Sequence, residues 1–427
     1  MDDEPTETRV PAIRSAVPVV ARTPEIQALA RTVRDAEDPR IVRVVAIVDA
    51  LINRGLVDQL IAPIRPRLAR LQPPRPLRFA RLLFHPLDRL IVPAPRWRPE
   101  QKTLPRTALR PMADHVRLAM GAAAAAIDAE VAGRTTADTA LIGRLGRSLW
   151  PDAATILASI GAVPDGWGAT GLGEAVYRPL AASVAALLGE APALDALCSE
   201  TVADLLPPAA ETVSGLLGRV VTANQAALPM MIVLLLDRLP EAAGLLPSVR
   251  EGRQAAVILA AAEEAADLVL GQLDQPSGGV QMRIAAGTLV EAGAVAGRIA
   301  TLLTHLDTPD ARPRRREHLR AVRQRLNAGC KDRFVSDLQD DLLARLQPAS
   351  DPVDIAALEA AARGLRVLES EARAVGGGAT YDLLLGKAAE AIGCDAMRDR
   401  LARVEQVRLV EILSGSDAAL AMVDGLG

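Results

Sequence analysis

The side chains best equipped for chemistry in this 427-residue chain are arginines, and they gather in two places. The first is a stretch of helical pattern from Ala311 to Gln347. Its front carries Arg312, Arg314, Arg315, Arg316, Arg320, Arg323 and Arg325, while Asp332, Asp337, Asp340 and Asp341 lie behind. A guanidinium is planar, always charged and able to grip a carboxylate or phosphate through two parallel hydrogen bonds, so seven together point to an anionic ligand. Their placement also works against the helix that bears them. Cations at an N-terminal end oppose the macrodipole, typically at about 0.3–1 kcal/mol each, so intrinsic helix stability does not explain the cluster.

The second place is a strap from Ile61 to Arg117. Here twelve arginines and Lys102 face only Asp88, Glu100 and Asp114, and eleven prolines bar continuous helix. Within it Arg96-Trp97-Arg98 sets a stacking ring between two cations, a combination used at single-stranded nucleic-acid sites. Trp97 can equally anchor the strap in a groove between helices, with both guanidiniums at the rim. The candidate binding set is therefore Arg96, Trp97, Arg98, Arg314, Arg315, Arg316, Arg320 and Arg323. A competing explanation lies in the charge distribution. Residues 1–118 hold 21 basic and 13 acidic side chains, whereas residues 119–310 hold 10 and 21, so the basic segments can lie across the chain's own acidic part.

Other chemistry has thin support. Gly166-Trp-Gly168-Ala-Thr-Gly171 spells a dinucleotide-loop motif, but that fold needs a strand running into the first glycine, and here Pro164-Asp165 precedes with helical patterns on both sides. His85, His115, His305 and His318 have no second ligand at metal-binding spacing. Cys198, Cys330 and Cys394 form no Cys-x-x-Cys pair and have no local base to activate them. The neighbours Glu263-Glu264 and Asp340-Asp341 point apart on a helix and read as solvated faces. No catalytic residue, metal or cofactor is expected from these patterns, although sites are assembled in space rather than along the chain.

The elements that must position these groups are helices. Half the composition is apolar, yet only eight residues are aromatic, so the core must come from Ala, Leu, Val and Ile; Ala and Leu lose little side-chain freedom in a helix. Residues 1–22 read as a flexible tail, and residues 23–117 as N-terminal helices, opening at Thr23-Pro24 and Asp38-Pro39, followed by the strap. Residues 118–310 read as an acidic helical body and 311–427 as C-terminal helical hairpins. The expected fold is all-α, with stacked antiparallel hairpins but no sequence signature recurring at the periods of helical repeats. Within the strap a short helix or two is expected over Leu77–Val92, then an extended path through Pro93–Pro99, then one helix from Ala108 to Ala132.

The longest uncharged run, Val220 to Leu236, is interrupted by Asn224, Gln225 and Pro229 and falls short of the roughly 20 apolar residues of a span, so it reads as a core helix and no transmembrane segment is expected. An acidic N-terminus without an apolar stretch, and three scattered cysteines, suggest a cytoplasmic protein. The functional expectation is a non-enzymatic scaffold or adaptor that binds another protein. The alternative is a polyanion-binding module, for nucleic acid or an anionic membrane face, that uses the strap and the Arg312–Arg325 cluster. A helical enzyme with an unassigned site comes third. Salt separates the first two, because polyanion binding weakens steeply with ionic strength.

Overall fold

The computed structural model describes residues 74–159, 162–199, 208–246, 254–275, 279–309, 311–346 and 353–424. The helices expected after Thr23 and Asp38, and the Ile61–Pro73 part of the strap, lie outside the described residues. Among the described residues the fold is all-α. The described residues hold seventeen α-helices and one pair of strands, a parallel pairing of Ile91–Val92 (β1) with Leu104–Pro105 (β2).

The chain divides into two compact units. One comprises Pro74–Gln275 and Gly297–Arg325. It holds α1 (Phe79–Leu83), α2 (Arg106–Met120), α3 (Ala122–Val131), α4 (Thr139–Ala158), α5 (Glu174–Gly189), α6 (Ala191–Ser199), α7 (Pro208–Asn224), α8 (Leu228–Arg238), α9 (Ala242–Leu245) and α10 (Ala255–Leu273). Asp138 starts α4 by accepting the Leu141 N–H at 3.1 Å, which satisfies one of the helix's orphan donors. The fully buried Trp150 of α4 donates its indole N–H to the Leu82 carbonyl at 3.1 Å and so ties α1 to α4. Gly146 is required beneath that ring, since a Cβ there would lie 2.3 Å from it. In α8 every residue from Leu228 to Leu236 is buried, and the helix packs against α7 and α10.

Two local expectations need correction. Pro93–Pro99 does not run extended: two 3-10 turns, Ala94–Arg96 and Pro99–Gln101, take its place. The fixed φ of proline suits the first position of such a turn as well as it suits extended chain. The single helix expected over Ala108–Ala132 is broken at Gly121, whose φ of 53° and ψ of −116° separate α2 from α3. Phe79 and Phe84 are buried, whereas Trp97 is half-buried and donates its indole N–H to the Thr103 carbonyl at 2.9 Å, fastening the loop to itself.

The other unit comprises, among the described residues, Gly279–Ala296 and Leu326–Asp424. Its elements are α11 (Val280–Ala285), the first part of α12 (Leu289–Leu306), the latter part of α13 (Pro313–Asp337), α14 (Ile355–Ala372), α15 (Gly378–Gly393), α16 (Arg403–Ser414) and α17 (Ser416–Asp424). The helix α15 packs on α16, and α16 on α14 and α17. The apolar stripe Leu319, Val322, Leu326, Cys330, Phe334, Leu338, Leu342 and Leu346 is buried along its whole length. Steps of four drift by about 40° on an α-helix. A π-helical turn over Leu338–Leu343 absorbs part of that drift, because its wider bonds wind less per residue.

Arg333 of α13 is 4% exposed. It donates to Asp337 at 2.8 Å and to the carbonyls of Ile284, Ala285 and Gly287 at 3.1, 2.7 and 2.9 Å, serving the open C-terminal end of α11. By length and composition, Ala210–Arg238 and Leu289–Leu306 could each cross a bilayer, which the reading of Val220–Leu236 did not anticipate; 61% and 50% of the respective windows are buried within protein.

Replacing Arg333 with Met should destabilise the protein by roughly 3–5 kcal/mol, because Asp337 would be left buried without its cation. Chemical denaturation checks this. A loss within the ~0.5 kcal/mol typical of surface substitutions would contradict it.

Candidate interaction site

The two basic clusters meet on one helix. The loop after the strap's 3-10 turns brings Lys102 to Glu264 of α10, with Nζ 3.9 Å from the carboxylate. The next acidic group along, Glu263, accepts from Arg315 Nη1 at 2.9 Å, and Asp267 one turn on accepts from Arg315 Nε at 2.9 Å. Arg315 Nη2 also donates to the Glu263 carbonyl at 3.0 Å. The Arg315 side chain is only 6% exposed, while those of Glu263 and Asp267 are 49% and 50% exposed. Burial acts to lower the Arg315 pKa, and its hydrogen bonds to both carboxylates, with their charges, outweigh it and raise it, so the group stays charged. Glu263 and Glu264 are therefore not merely solvated faces; each ties a basic residue to α10.

Between these contacts and the start of α8 lies an open cleft of about 670 Å³. Leu228, Pro229, Val257, Ala260 and Ala261 supply its apolar lining, and Lys102 and Glu264 its charged groups. Short side chains on α10 keep the cleft wide, since Ala256 and Ala260 occupy its face where longer residues would close it. Lys102 holds a φ of 49°, the one positive φ among the described non-glycine residues. A lysine in that conformation is strained, by about 1–3 kcal/mol by analogy with similar outliers, and here the strain is held at the mouth of a cleft. The alanine-rich run 255–266 was the signal in the sequence; it was passed over because alanine reads equally as ordinary helix.

The remaining candidates separate. Arg323 donates to Asp307 at 2.7 Å and Arg325 lies 3.3 Å from Asp274, so both join Arg315 in pairing with the acidic segment. Arg314, Arg316 and Arg320 are exposed; Arg316 donates to the Pro309 carbonyl. Arg98 is exposed and donates to the carbonyls of Trp97 and Pro95 at 2.7 and 3.3 Å, and Arg96 is half-buried. Trp97 is half-buried, with its indole edge held by the Thr103 carbonyl.

The glycine motif forms a loop between helices rather than a nucleotide cradle. Gly166 and Gly171 adopt φ of 81° and 73° at the ends of a 3-10 turn, and the buried Trp167 stacks edge-on against Tyr177 with ring centroids 4.8 Å apart. Among the described residues no group of three His, Cys, Asp or Glu side chains could hold a metal ion. Burial pushes the Cys198 thiol up to about 11 and lowers the His85 pKa, and Cys330 is pushed up to about 12, so these groups are neutral at physiological pH. Cys198 and Cys330 are thiols rather than thiolates, the reverse of what an activated nucleophile requires. Comparison with protein-family models, with curated proteins and with solved structures finds nothing that matches this chain.

Arg315→Gln should lower stability by about 1–3 kcal/mol through loss of its charged hydrogen bonds, while Arg314→Gln, one residue away and exposed, should change it by less than about 0.5 kcal/mol. Thermal melts of the two variants distinguish them. Equal melting temperatures would show that the contact with α10 carries no stability.

Proposed function

We propose that this protein is a non-enzymatic helical adaptor that holds an apolar segment of a partner protein in the cleft on α10. The observation that carries the reading is the cleft itself: open to solvent, lined mainly by aliphatic side chains, with the Lys102–Glu264 pair at its edge. Binding surfaces of this kind combine an apolar centre with a polar rim. Supporting it is the fate of the arginines, since Arg315, Arg323 and Arg325 engage acidic side chains of the same unit and are not available to a ligand. The rival enzyme reading gains nothing from the neutral thiols or the absence of a metal-ligand group among the described residues.

The same reading takes the protein as cytoplasmic, with its two long apolar stretches as core helices. It rests on the burial of every residue from Leu228 to Leu236 and on the three free cysteines. A helix enclosed by protein on all sides needs no lipid.

Ala260→Phe should fill the cleft without disturbing the core, because Ala260 is exposed on α10. In affinity capture, a partner retained by the wild type at high salt with nuclease present should be lost from this variant, while its melting temperature stays within a few degrees. Equal retention by the two proteins would remove the cleft from the account.

A further inference from the structure

Of the cluster's arginines outside the internal ion pairs, Arg314 stands apart and three others are ordered. Arg312, just before α13, and Arg316 and Arg320 in its first turns are exposed and spaced by four residues, so they form a slowly winding row at its N-terminal end, with about 6 Å of rise and about 40° of turn between neighbours. Arg312 and Arg320 have no carboxylate partner for their guanidiniums among the described residues, and Arg316 reaches only the Pro309 carbonyl. Glu317 is the single acidic residue between Ala311 and Arg325, and none lies in the first turn of the helix. The helix stabilises itself through neighbouring arginines on other faces, yet keeps three like charges in line where its own dipole opposes them. Internal compensation accounts for Arg315, Arg323 and Arg325 and leaves this row unexplained.

We propose that Arg312, Arg316 and Arg320 form a docking row for the phosphates of a single-stranded nucleic acid, bound without regard to sequence. A linear array of cations separated by about a helical turn fits a flexible chain of regularly spaced anions, and guanidiniums grip phosphates through paired hydrogen bonds. The row offers no base readout of its own, since residues 297–325 expose no large apolar side chain. That lack of apolar anchors also disfavours an anionic membrane, where an interfacial helix buries a hydrophobic face; the apolar side of α13, with Leu319 and Val322, is buried in protein. With its opposite side packed in protein, α13 offers a ligand only its exposed side. This inference is independent of the cleft on α10.

Fluorescence anisotropy of a labelled mixed-sequence DNA strand, titrated with the full chain over a range of KCl concentrations, tests it. Three phosphate contacts on a single strand imply a slope of log K against log salt of about −2, and each Arg→Gln change in the row should reduce that slope by about 0.7. The triple variant R312Q/R316Q/R320Q should lose binding and keep its melting temperature. R314Q removes the same charge from another face of the helix and should bind as the wild type does, as should the cleft variant A260F. Undiminished binding by the triple variant, an equal loss in R314Q, or no binding by the wild type at low salt would overturn the proposal. Tighter binding to the duplex, to polyglutamate or to phosphatidylserine vesicles than to the strand would reassign the row.

Discussion

A guanidinium removed from water must find a full set of acceptors, and in this protein that requirement organises both compact units. Arg315 meets it with two carboxylates and a carbonyl on α10, and Arg333 meets it with Asp337 and three carbonyls beyond α11. Each contact joins segments about fifty residues apart in the chain. Removing one partner from such a set leaves the other buried and uncompensated, which is why these contacts specify an arrangement more than they add net stability. The two arginines differ in one respect. The carboxylates on Arg315 are half in solvent, whereas Asp337 is enclosed, so the two sites will not respond alike to loss of the cation.

The second constraint is the scarcity of large rings. With alanine, leucine and valine as the main core material, helices must approach closely, as Gly293 of α12 does to the Val367 backbone carbonyl, 3.3 Å from where a Cβ would stand. The few aromatic residues sit at junctions: Trp150 on Leu82, Trp167 on Tyr177, Phe334 on Tyr381. Where α10 turns its short side chains outward, the same economy of size leaves the cleft open. The dimensions of the candidate site thus follow from the composition of the core.

Much of this fold was legible in the sequence, because apolar periodicity and helix caps are local signals. The helical spacing of apolar residues from Leu319 to Leu346 marks side chains that are all buried, and Asp354, like Asp138, caps its helix as its type suggests. The breaks were harder. Nothing near Gly121 distinguishes it from a tolerated glycine inside a helix, and proline permits the 3-10 turns at 94–101 as readily as an extended path. The π-turn over Leu338–Leu343 leaves only an indirect trace in the sequence, the four-residue spacing of the apolar stripe. The site was half legible: opposition to the helix dipole marked the Arg312–Arg325 cluster as needing explanation, but its partners Glu263 and Asp267 lie 52 and 48 residues away, beyond any local pattern. Exposure then divided one apparent cluster into structural ties and an outward row.

The claim on which the account turns is that Arg315 is an internal tie whose charge is held by α10. A thermodynamic cycle tests it most directly, using Arg315→Met, the pair Glu263→Gln with Asp267→Asn, and all three changes together, each measured by equilibrium denaturation. Stripping the carboxylates leaves a buried cation with only neutral acceptors, so that variant should be the least stable, and adding Arg315→Met to it should recover stability, with a coupling of about 1–3 kcal/mol. Strict additivity of the two sets of changes would contradict the account and return Arg315 to the pool of residues available to a ligand.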